Sequence, residues 1–281
     1  MSQTKTRRRK TDKRDAENIA RCLASGTYSE IHIPTDEDNA VKEYIRMRDD
    51  AKDTLKRTKQ RLLSFCTRNG MFFDGGKSYW TQKHIAWLKK LDFGNAILQE
   101  TYQELYALYT QISDKVALFD KRIEELAQGD KYADDVKKLS CLNGIGTHTA
   151  LATIAEIGDF HRFEKASHFA AYLGLAPGED SSGTSIRRTG ITKEGNSHIR
   201  RLLVEAANCY SRGTLGTKSK ALKARQAGMD PKFIAYVDKA NDRLKRKFYR
   251  ILFHSKRNIA TVAVARELAC FIWGIMTGNT A

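Results

Sequence analysis

The segment between residues 98 and 126 carries two apolar series with a seven-residue period, and this pattern restricts the fold more than any other feature of the chain. The first series is Leu98, Leu105, Ile112, Phe119 and Leu126, and the second is Tyr102, Tyr109, Val116 and Ile123. Offset by four residues, the two series form the apolar seam of a coiled-coil helix. The sequence therefore predicts a coiled coil, and with it a homodimer.

A second predicted helix, over residues 41–65, offers the seam a partner within the same chain. This helix is rich in charged residues and carries a weaker heptad of Val41, Tyr44, Ala51, Leu55, Leu62 and Phe65. The turn-like sequence NGMFFDGGK at residues 69–77 ends it. An intramolecular helix pair and a homodimer can exist together, so both stay open at this stage.

Proline is scarce, and this scarcity shapes the fold class. The chain of 281 residues has three prolines, so long stretches can be helical. No run alternates clearly between apolar and polar residues, so we predict a mainly α fold: a long helix pair, then a compact helical domain from residue 136. The apolar run 262–276 is interrupted by Arg266 and Glu267, and it predicts a buried helix rather than a membrane span.

The positive charge is concentrated at the C-terminal end of the chain. The net charge is +16, and residues 181–281 hold 20 Lys and Arg against 6 Asp and Glu. Such asymmetry favours a polyanionic partner, most simply nucleic acid, over an incidental solvated basic face.

The five cysteines point to a reducing compartment. They are scattered, no pair has the spacing of a zinc site, and the basic N-terminal segment does not resemble a signal peptide. We therefore expect reduced thiols and a cytoplasmic, nucleoid-associated protein.

Asp12 and Asp15 are the first candidates for chemistry. They begin a predicted helix, TDKRDAENIARCLASG, in which Asp12 stands at the N-cap and Gly26 ends the helix. Carboxylates three residues apart can share one side of a helical turn and hold Mg²⁺. The alternative is ordinary helix initiation by two acids.

The segment LNGIGTHTALATIAEIG resembles a helix-hairpin-helix. Gly144 and Gly146 bracket the turn, and Thr147 opens the second helix. In this motif the glycines let backbone N–H groups approach a phosphate at a helix N-terminus. A tight turn between packed helices, without any ligand, is the alternative.

The stretch GEDSSGTSIRRTG places two serines beside cations. Ser181 or Ser182 could attack a phosphodiester if nearby cations hold the scissile phosphate. The cations available for phosphate contact are Arg187, Arg188, Lys193, Arg200 and Arg201. By itself, the Ser-Ser-Gly sequence is equally typical of a plain loop.

In combination, these motifs resemble the DEDD-type, Piv-invertase-like insertion-sequence transposases, the recombinases guided by a bridge RNA. The resemblance is carried by KTDKRDAENIA, by GIG, the YLGLAP turn, SSG and TKEGNSHIR in one order, and by the terminal VAVARELACFIW. It implies a RuvC-like domain with four metal-binding acids, a coiled coil, and a helical transposase domain with a catalytic serine. Ser182 is then the nucleophile, with Ser181 as the fallback, in a dimer or tetramer that acts on DNA.

The resemblance also implies that Asp12 and Asp15 are the last two of the four acids. Because eleven residues precede Asp12, we expect a chain truncated at its N-terminus that lacks most of the RuvC-like α/β domain. The expected domains are 1–35 (remnant of the metal-binding domain), 36–135 (long helices) and 136–281 (transposase domain). Two alternatives to an active enzyme are a catalytically inactive nucleic-acid-binding remnant and a structural coiled-coil protein.

Overall fold

The computed structural model describes residues 11–27, 32–179, 181 and 188–280, and these residues form the predicted mainly α fold. The helices are α1 Asp12–Ala24, α2 Asp36–Arg68, α3 Gln82–Leu88, α4 Ala96–Ala127, α5 Ala133–Ser140, α6 Thr147–Ile157, α7 Ala166–Tyr172, α8 Ser197–Ala207, α9 Lys220–Gln226, α10 Pro231–His254 and α11 Arg257–Met276. A 3-10 helix spans Asn208–Ser211, and two strands, β1 Pro177–Glu179 and β2 Arg188–Ile191, pair antiparallel. The chain divides into two compact units, Met1–Ile33 and Pro34–Ala281.

Helix α1, in the first unit, forms where the sequence predicts it but begins differently. Its N-cap is Thr11, whose carbonyl accepts from the N–H groups of Arg14 and Asp15, so the assignment of Asp12 as N-cap is wrong. Asp12 is the first helical residue. The helix ends at Ala24, and Gly26 follows the C-cap Ser25 with a φ of +63°, in the left-handed region that glycine adopts readily.

Helices α2 and α4 pack side by side within one chain and run antiparallel. Tyr44 contacts Phe119 near one end of the pair, and Phe65 stacks on Tyr102 near the other. The series Tyr102, Tyr109, Val116 and Ile123 is buried, whereas the series Leu98, Leu105, Ile112, Phe119 and Leu126 is only half-buried. The intramolecular helix pair is therefore present, while coiled-coil supercoiling and the homodimer stay predictions.

Helix α3 follows the predicted turn at residues 69–77, in a segment for which the sequence predicts no element. Its His84 is fully buried, and the rings of Phe73, Tyr79, Trp80 and Trp87 surround the imidazole. The Tyr102 hydroxyl donates to the Leu88 carbonyl at 2.6 Å, which ties α3 to α4. The aromatic cluster thus closes one end of the α2–α4 pair.

Helix α11 is the centre of the C-terminal domain. Its length and composition would allow it to cross a membrane, and it is the one such helix among the described residues. However, half of its most apolar stretch is buried inside the protein. It packs against α7, α8 and α10 and buries Val264, Leu268 and Ile272 completely. The expected buried helix is present, because three neighbouring helices cover its apolar faces.

Candidate functional site

The predicted nucleophile loop joins the two strands of a hairpin. Pro177 pairs with Ile191 and Glu179 with Arg188 in two short strands, which no alternating run in the sequence indicated. Ser182 and Arg187 lie outside the described residues, as does the side chain of Arg188. Ser181 is exposed, and its hydroxyl donates to Glu179 Oε1 at 2.7 Å. The loop therefore leaves from an exposed end of the hairpin.

Two interlocked turns fix the base of this hairpin. The N–H groups of Thr192, Lys193 and Asn196 donate to the carbonyls of Ala176, Gly174 and Tyr172 respectively. Gly195 has a φ of +116°, and a Cβ atom there would stand 2.0 Å from the Tyr172 carbonyl oxygen. Only glycine fits such an approach of two backbones. The YLGLAP and TKEGN segments are therefore fixed to each other by backbone hydrogen bonds. Lys193, at a φ of +59°, lies in one of these turns.

Arg200 and Arg201, both predicted to contact nucleic acid, have partners within the protein. The Arg200 guanidinium donates to the Leu173 carbonyl at 2.9 Å, so it clamps the turn that supports the hairpin. Arg201 reaches Asp49 at 3.3 Å and Asp53 at 3.4 Å, and its side chain stays partly exposed. Arg200 thus positions the hairpin. Arg201 differs from it, because its guanidinium stays partly exposed and its ion pairs with Asp49 and Asp53 are long.

The GIG turn connects α5 to α6, and its two glycines differ in role. Gly144 has a φ of +86°, and a Cβ atom there would lie 2.4 Å from the Ala206 carbonyl oxygen of α8. Gly146 is the N-cap of α6, and a Cβ atom there would meet no atom within 4 Å; Thr147 follows it, half-buried. Gly144 therefore allows the turn to pack against α8, as expected for a tight turn between packed helices. Phosphate contact at Gly146 and Thr147 stays a prediction.

Behind the hairpin lies a network of buried charges that sequence reasoning missed. Asp49 of α2 is 8% exposed, and its carboxylate lies between two imidazoles. His198 Nε2 lies 2.8 Å from Asp49 Oδ2, and His148 Nε2 lies 2.9 Å from Oδ1 without hydrogen-bond geometry. Arg48 donates to Asp49 at 2.9 Å. This carboxylate therefore joins α2 to α6 and α8.

Glu156 of α6 continues the network to the base of the hairpin. Its side chain is 5% exposed and accepts from Arg46 Nε at 2.8 Å and from Asn196 Nδ2 at 3.0 Å. His198 Nδ1 lies 3.2 Å from Glu156 Oε1. Asn196 is also the N-cap of α8, where its side chain accepts from the Ile199 N–H. The TKEGN turn is thus anchored to α6 as well as to the YLGLAP turn.

The two carboxylates and the imidazole between them stabilise each other's charged forms. The carboxylates of Asp49 and Glu156 raise the pKa of His198 to about 9, against the opposing effect of burial. Burial alone would raise the pKa of Glu156, but His198, Arg46 and Asn196 outweigh it and lower the value to about 2. The pKa of Asp49 is likewise lowered, because the contacts with His148 and His198 outweigh burial. At neutral pH the network holds an imidazolium between two carboxylates.

The raised pKa of His198 predicts a pH-dependent stability. The unfolded imidazole titrates near 6.5, so the stabilisation is complete below about pH 6.5 and is lost as the pH rises through about 9. We expect the free energy of unfolding to fall by about 3 kcal/mol between these values. Urea denaturation of the wild type and of His198→Gln measures this change. The variant should decline less than the wild type, keeping only the decline above about pH 8 that comes from the buried thiols, whose pKa values burial raises. An equal decline in both proteins would contradict the assignment.

Asp12 and Asp15 share the first turn of α1, as predicted. Asp12 is exposed and Asp15 is half-buried. Within residues 11–27, 32–179, 181 and 188–280, no three His, Cys, Asp or Glu side chains form a group that could hold a metal ion. The metal site at Asp12 and Asp15 therefore stays a prediction.

Comparisons with known proteins agree with these motifs. The model of the family described as "Transposase IS116/IS110/IS902 family" matches residues 136–222, and a model of DEDD-type IS110 transposases matches residues 1–68. The "Transposase for insertion sequence element IS1533" of Leptospira borgpetersenii is 32% identical over 241 residues, which cover 85% of this chain and 69% of that protein.

Two further relatives extend the comparison. The y4qE protein of Sinorhizobium fredii, whose name also contains the word transposase, is 32% identical over 267 residues, which cover 95% of this chain and 64% of that protein. The "Pilin gene-inverting protein" of Moraxella bovis is 29% identical over 138 residues, 45% of this chain and 43% of that protein. The chain thus spans about two thirds of the length of the first two relatives. It belongs to the IS116/IS110/IS902 family of insertion-sequence transposases.

Proposed function

We propose that this chain acts in DNA transposition, binding DNA and cleaving and rejoining its strands through Ser182. The hairpin carries this proposal: interlocked turns and a buried charge network hold its base, while its loop leaves from an exposed end. Ser181, the described neighbour of Ser182, is exposed rather than enclosed in the core. A nucleophile that must reach a polymer backbone needs such access on a rigid support.

The chemical step is a phosphoryl transfer. The Ser182 hydroxyl gives up its proton as its oxygen forms a bond to the phosphorus of a phosphodiester, while the bond from phosphorus to one deoxyribose oxygen breaks and that oxygen takes up a proton. The product is a serine phosphodiester and a strand with a free hydroxyl. Attack by the hydroxyl of another strand reverses the step and rejoins DNA without a nucleotide cofactor. Arg187, Arg188, Lys193 and Arg201 supply the positive charge that opposes the charge on the reacting phosphate.

A divalent metal, Mg²⁺, fits Asp12 and Asp15 in part. Mg²⁺ is commonly held by one or two carboxylates together with water and substrate phosphates, and these two side chains share one helical turn. When bound, the metal would offset negative charge on the phosphate. Asp12 and Asp15 would hold it, and neither residue is buried.

The proposed partners are DNA, a bridge RNA and further copies of this chain. The series from Leu98 to Leu126 supports a homodimer or homotetramer, because its side chains are only half-buried within the chain and leave part of their apolar surface accessible. The phosphate contacts include the GIG turn, with Gly146 and Thr147 at the N-terminus of α6. We assign residues 1–35 to the metal-binding part, 36–135 to the helix pair and 136–281 to the transposase domain. We place the protein in the cytoplasm with the nucleoid.

A catalytically inactive, nucleic-acid-binding protein is the second candidate. The observation that favours it is the pair of carboxylates at α1 without a third ligand among the described residues. Such a protein would bind DNA in a salt-dependent way and would never form a covalent bond to it.

A cleavage assay separates the two candidates. The purified chain is incubated with Mg²⁺, a plasmid that carries the DNA flanking its own coding sequence, and RNA transcribed from that flank. The transposase should produce a protein–DNA species that survives denaturation in detergent. A gel shift that weakens steeply with salt, with no such species under any metal or RNA condition, would instead establish the inactive binding protein.

A further inference from the structure

The C-terminal half of α2 carries a stripe of exposed cations and polar side chains. The stripe consists of Arg57, Gln60, Arg61, Ser64 and Arg68, all exposed. At 100° per residue these positions fall within a sector of about 100° of the helix surface. Together with Leu105 of α4 they line a shallow groove of about 510 Å³. The opposite side of the same helix buries Leu55, Leu62 and Cys66.

The charges on this stripe are not neutralised within the described part of the chain. Residues 52–68 hold six Lys and Arg and one acid, Asp53. Within the described ranges, neither Arg57 nor Arg61 takes part in an ion pair, and Arg68 donates to the Ser64 hydroxyl at 2.9 Å. Concentrating arginine side chains on one exposed face does not stabilise the helix, because like charges repel. The stripe therefore suits an external anion.

Other cations of α2 show the contrast. Arg46 pairs with Glu156, and Arg48 pairs with Asp120 at 2.7 Å and with Asp49. Lys59, half-buried, lies over the Trp80 ring at 4.8 Å from its centre. These cations serve the fold of the protein. By contrast, the arginines of the stripe have no carboxylate partner within the described ranges.

The stripe is also remote from the hairpin. With a rise of 1.5 Å per residue, Arg57 lies about 12 Å and Arg68 about 29 Å along the axis from Asp49, the α2 residue that contacts α8. The stripe itself extends about 16 Å. Phosphates of one strand of a duplex follow each other every 3.4 Å along its axis while the strand winds around it, so a straight stripe of this length faces about two or three of them.

We propose that this stripe is a second DNA contact, which binds the backbone of double-stranded DNA away from the hairpin loop. The inference rests on the proposed function, because it assumes that the chain acts on DNA. Three guanidinium groups can each grip a phosphate with two parallel hydrogen bonds, and Gln60 and Ser64 add neutral donors between them. No base-reading element accompanies them, so the contact should be independent of sequence.

Removal of the three charges tests the proposal. The triple variant Arg57→Gln, Arg61→Gln, Arg68→Gln is compared with a control of equal charge, Lys115→Gln, Lys121→Gln, Lys137→Gln, which removes three exposed cations elsewhere. Fluorescence anisotropy measures binding of the full-length chain to a duplex of random sequence over a range of salt concentrations. Circular dichroism checks that both variants keep their helices.

The stripe variant should lose at least about ten-fold in affinity at moderate salt. Its slope of log affinity against log salt should become shallower by about 2 to 3, since each phosphate contact contributes about 0.9. The control variant should change by less than about three-fold. A photo-crosslinking residue at position 60 should label the duplex, whereas one at Gln111, exposed on α4, should not.

Each of the following results would overturn the proposal. Equal losses in both triple variants would mean that only net charge matters. A loss for an RNA hairpin but not for the duplex would assign the stripe to RNA, and a changed oligomeric state with unchanged DNA affinity would assign it to a second copy. If the wild type itself binds no DNA, the proposed function fails as well. Wild-type binding with an unaffected stripe variant refutes the stripe alone.

Discussion

Replacement of Ser182 by alanine should abolish formation of the covalent protein–DNA species and reduce strand cleavage by about a thousand-fold or more. The reason is chemical: without the hydroxyl oxygen, no bond from this position to phosphorus can form. DNA binding should change by less than about two-fold, because the hydroxyl makes at most one of many backbone contacts. Gel electrophoresis after detergent treatment, combined with a binding titration, separates the two effects.

Ser181→Ala is the matched control. Its hydroxyl already donates to Glu179 Oε1 at 2.7 Å, so its proton is engaged within the chain. We expect cleavage to fall by less than about ten-fold in this variant, an effect of loop positioning alone. If Ser181→Ala abolishes the covalent species while Ser182→Ala retains it, the nucleophile is the first serine of the pair and the assignment of Ser182 is wrong.

Replacement of Asp49 by alanine should lower the free energy of unfolding by about 3–5 kcal/mol, the largest stability effect we expect in this chain. The carboxylate is 8% exposed and contacts His148, His198 and Arg48. Its removal leaves an imidazolium and a guanidinium buried without their common anion, which costs more than a lost hydrogen bond. Urea denaturation followed by circular dichroism measures the change.

Asp53→Ala is the control for this prediction. Asp53 is 55% exposed and contacts Arg201 at 3.4 Å, so its loss should cost less than about 1 kcal/mol. Similar losses in the two variants would show that Asp49 is an ordinary surface partner. A large loss confined to Asp49 would support its role in joining α2 to the support of the hairpin.

The helices could be predicted because local periodicity encodes them. The two heptad series mark α4 from Leu98 to Leu126, and the structure extends the helix by one or two residues at each end. Periodicity does not encode which helix each apolar series packs against. The four residues from Tyr102 to Ile123 are buried against α2 or the adjoining core of the same chain, a choice that depends on the antiparallel packing and not on spacing.

The support of the hairpin could not be predicted from spacing, because its residues are far apart in the sequence. Asp49 and His198 are separated by 149 positions, and Arg46 and Glu156 by 110. A weak signal was present: His198 follows the N-cap Asn196 at the start of an amphipathic helix, where an imidazole on the inner face needs a partner. The GNSHIR segment therefore marked a buried contact as much as a nucleic-acid contact.

Arginine roles were the least predictable part of the site. Arg200 and Arg201 are adjacent in sequence and equally basic, yet one binds the Leu173 carbonyl and the other meets carboxylates at an exposed edge. A basic run in a sequence gives the charge of a region but not the direction of each side chain. The exposed stripe on α2 shows the reverse case, since it lies outside the strongly basic C-terminal third.

The most direct test of the central claim is to locate the bond between protein and DNA. The covalent species is trapped with Mg²⁺, digested with nuclease and trypsin, and the peptide of residues 166–187 is sequenced by mass spectrometry. We predict a nucleotide phosphate on Ser182 and none on Ser167, Ser181 or Ser185. A phosphate on any other residue, or DNA cleavage without an attached peptide, would contradict the account.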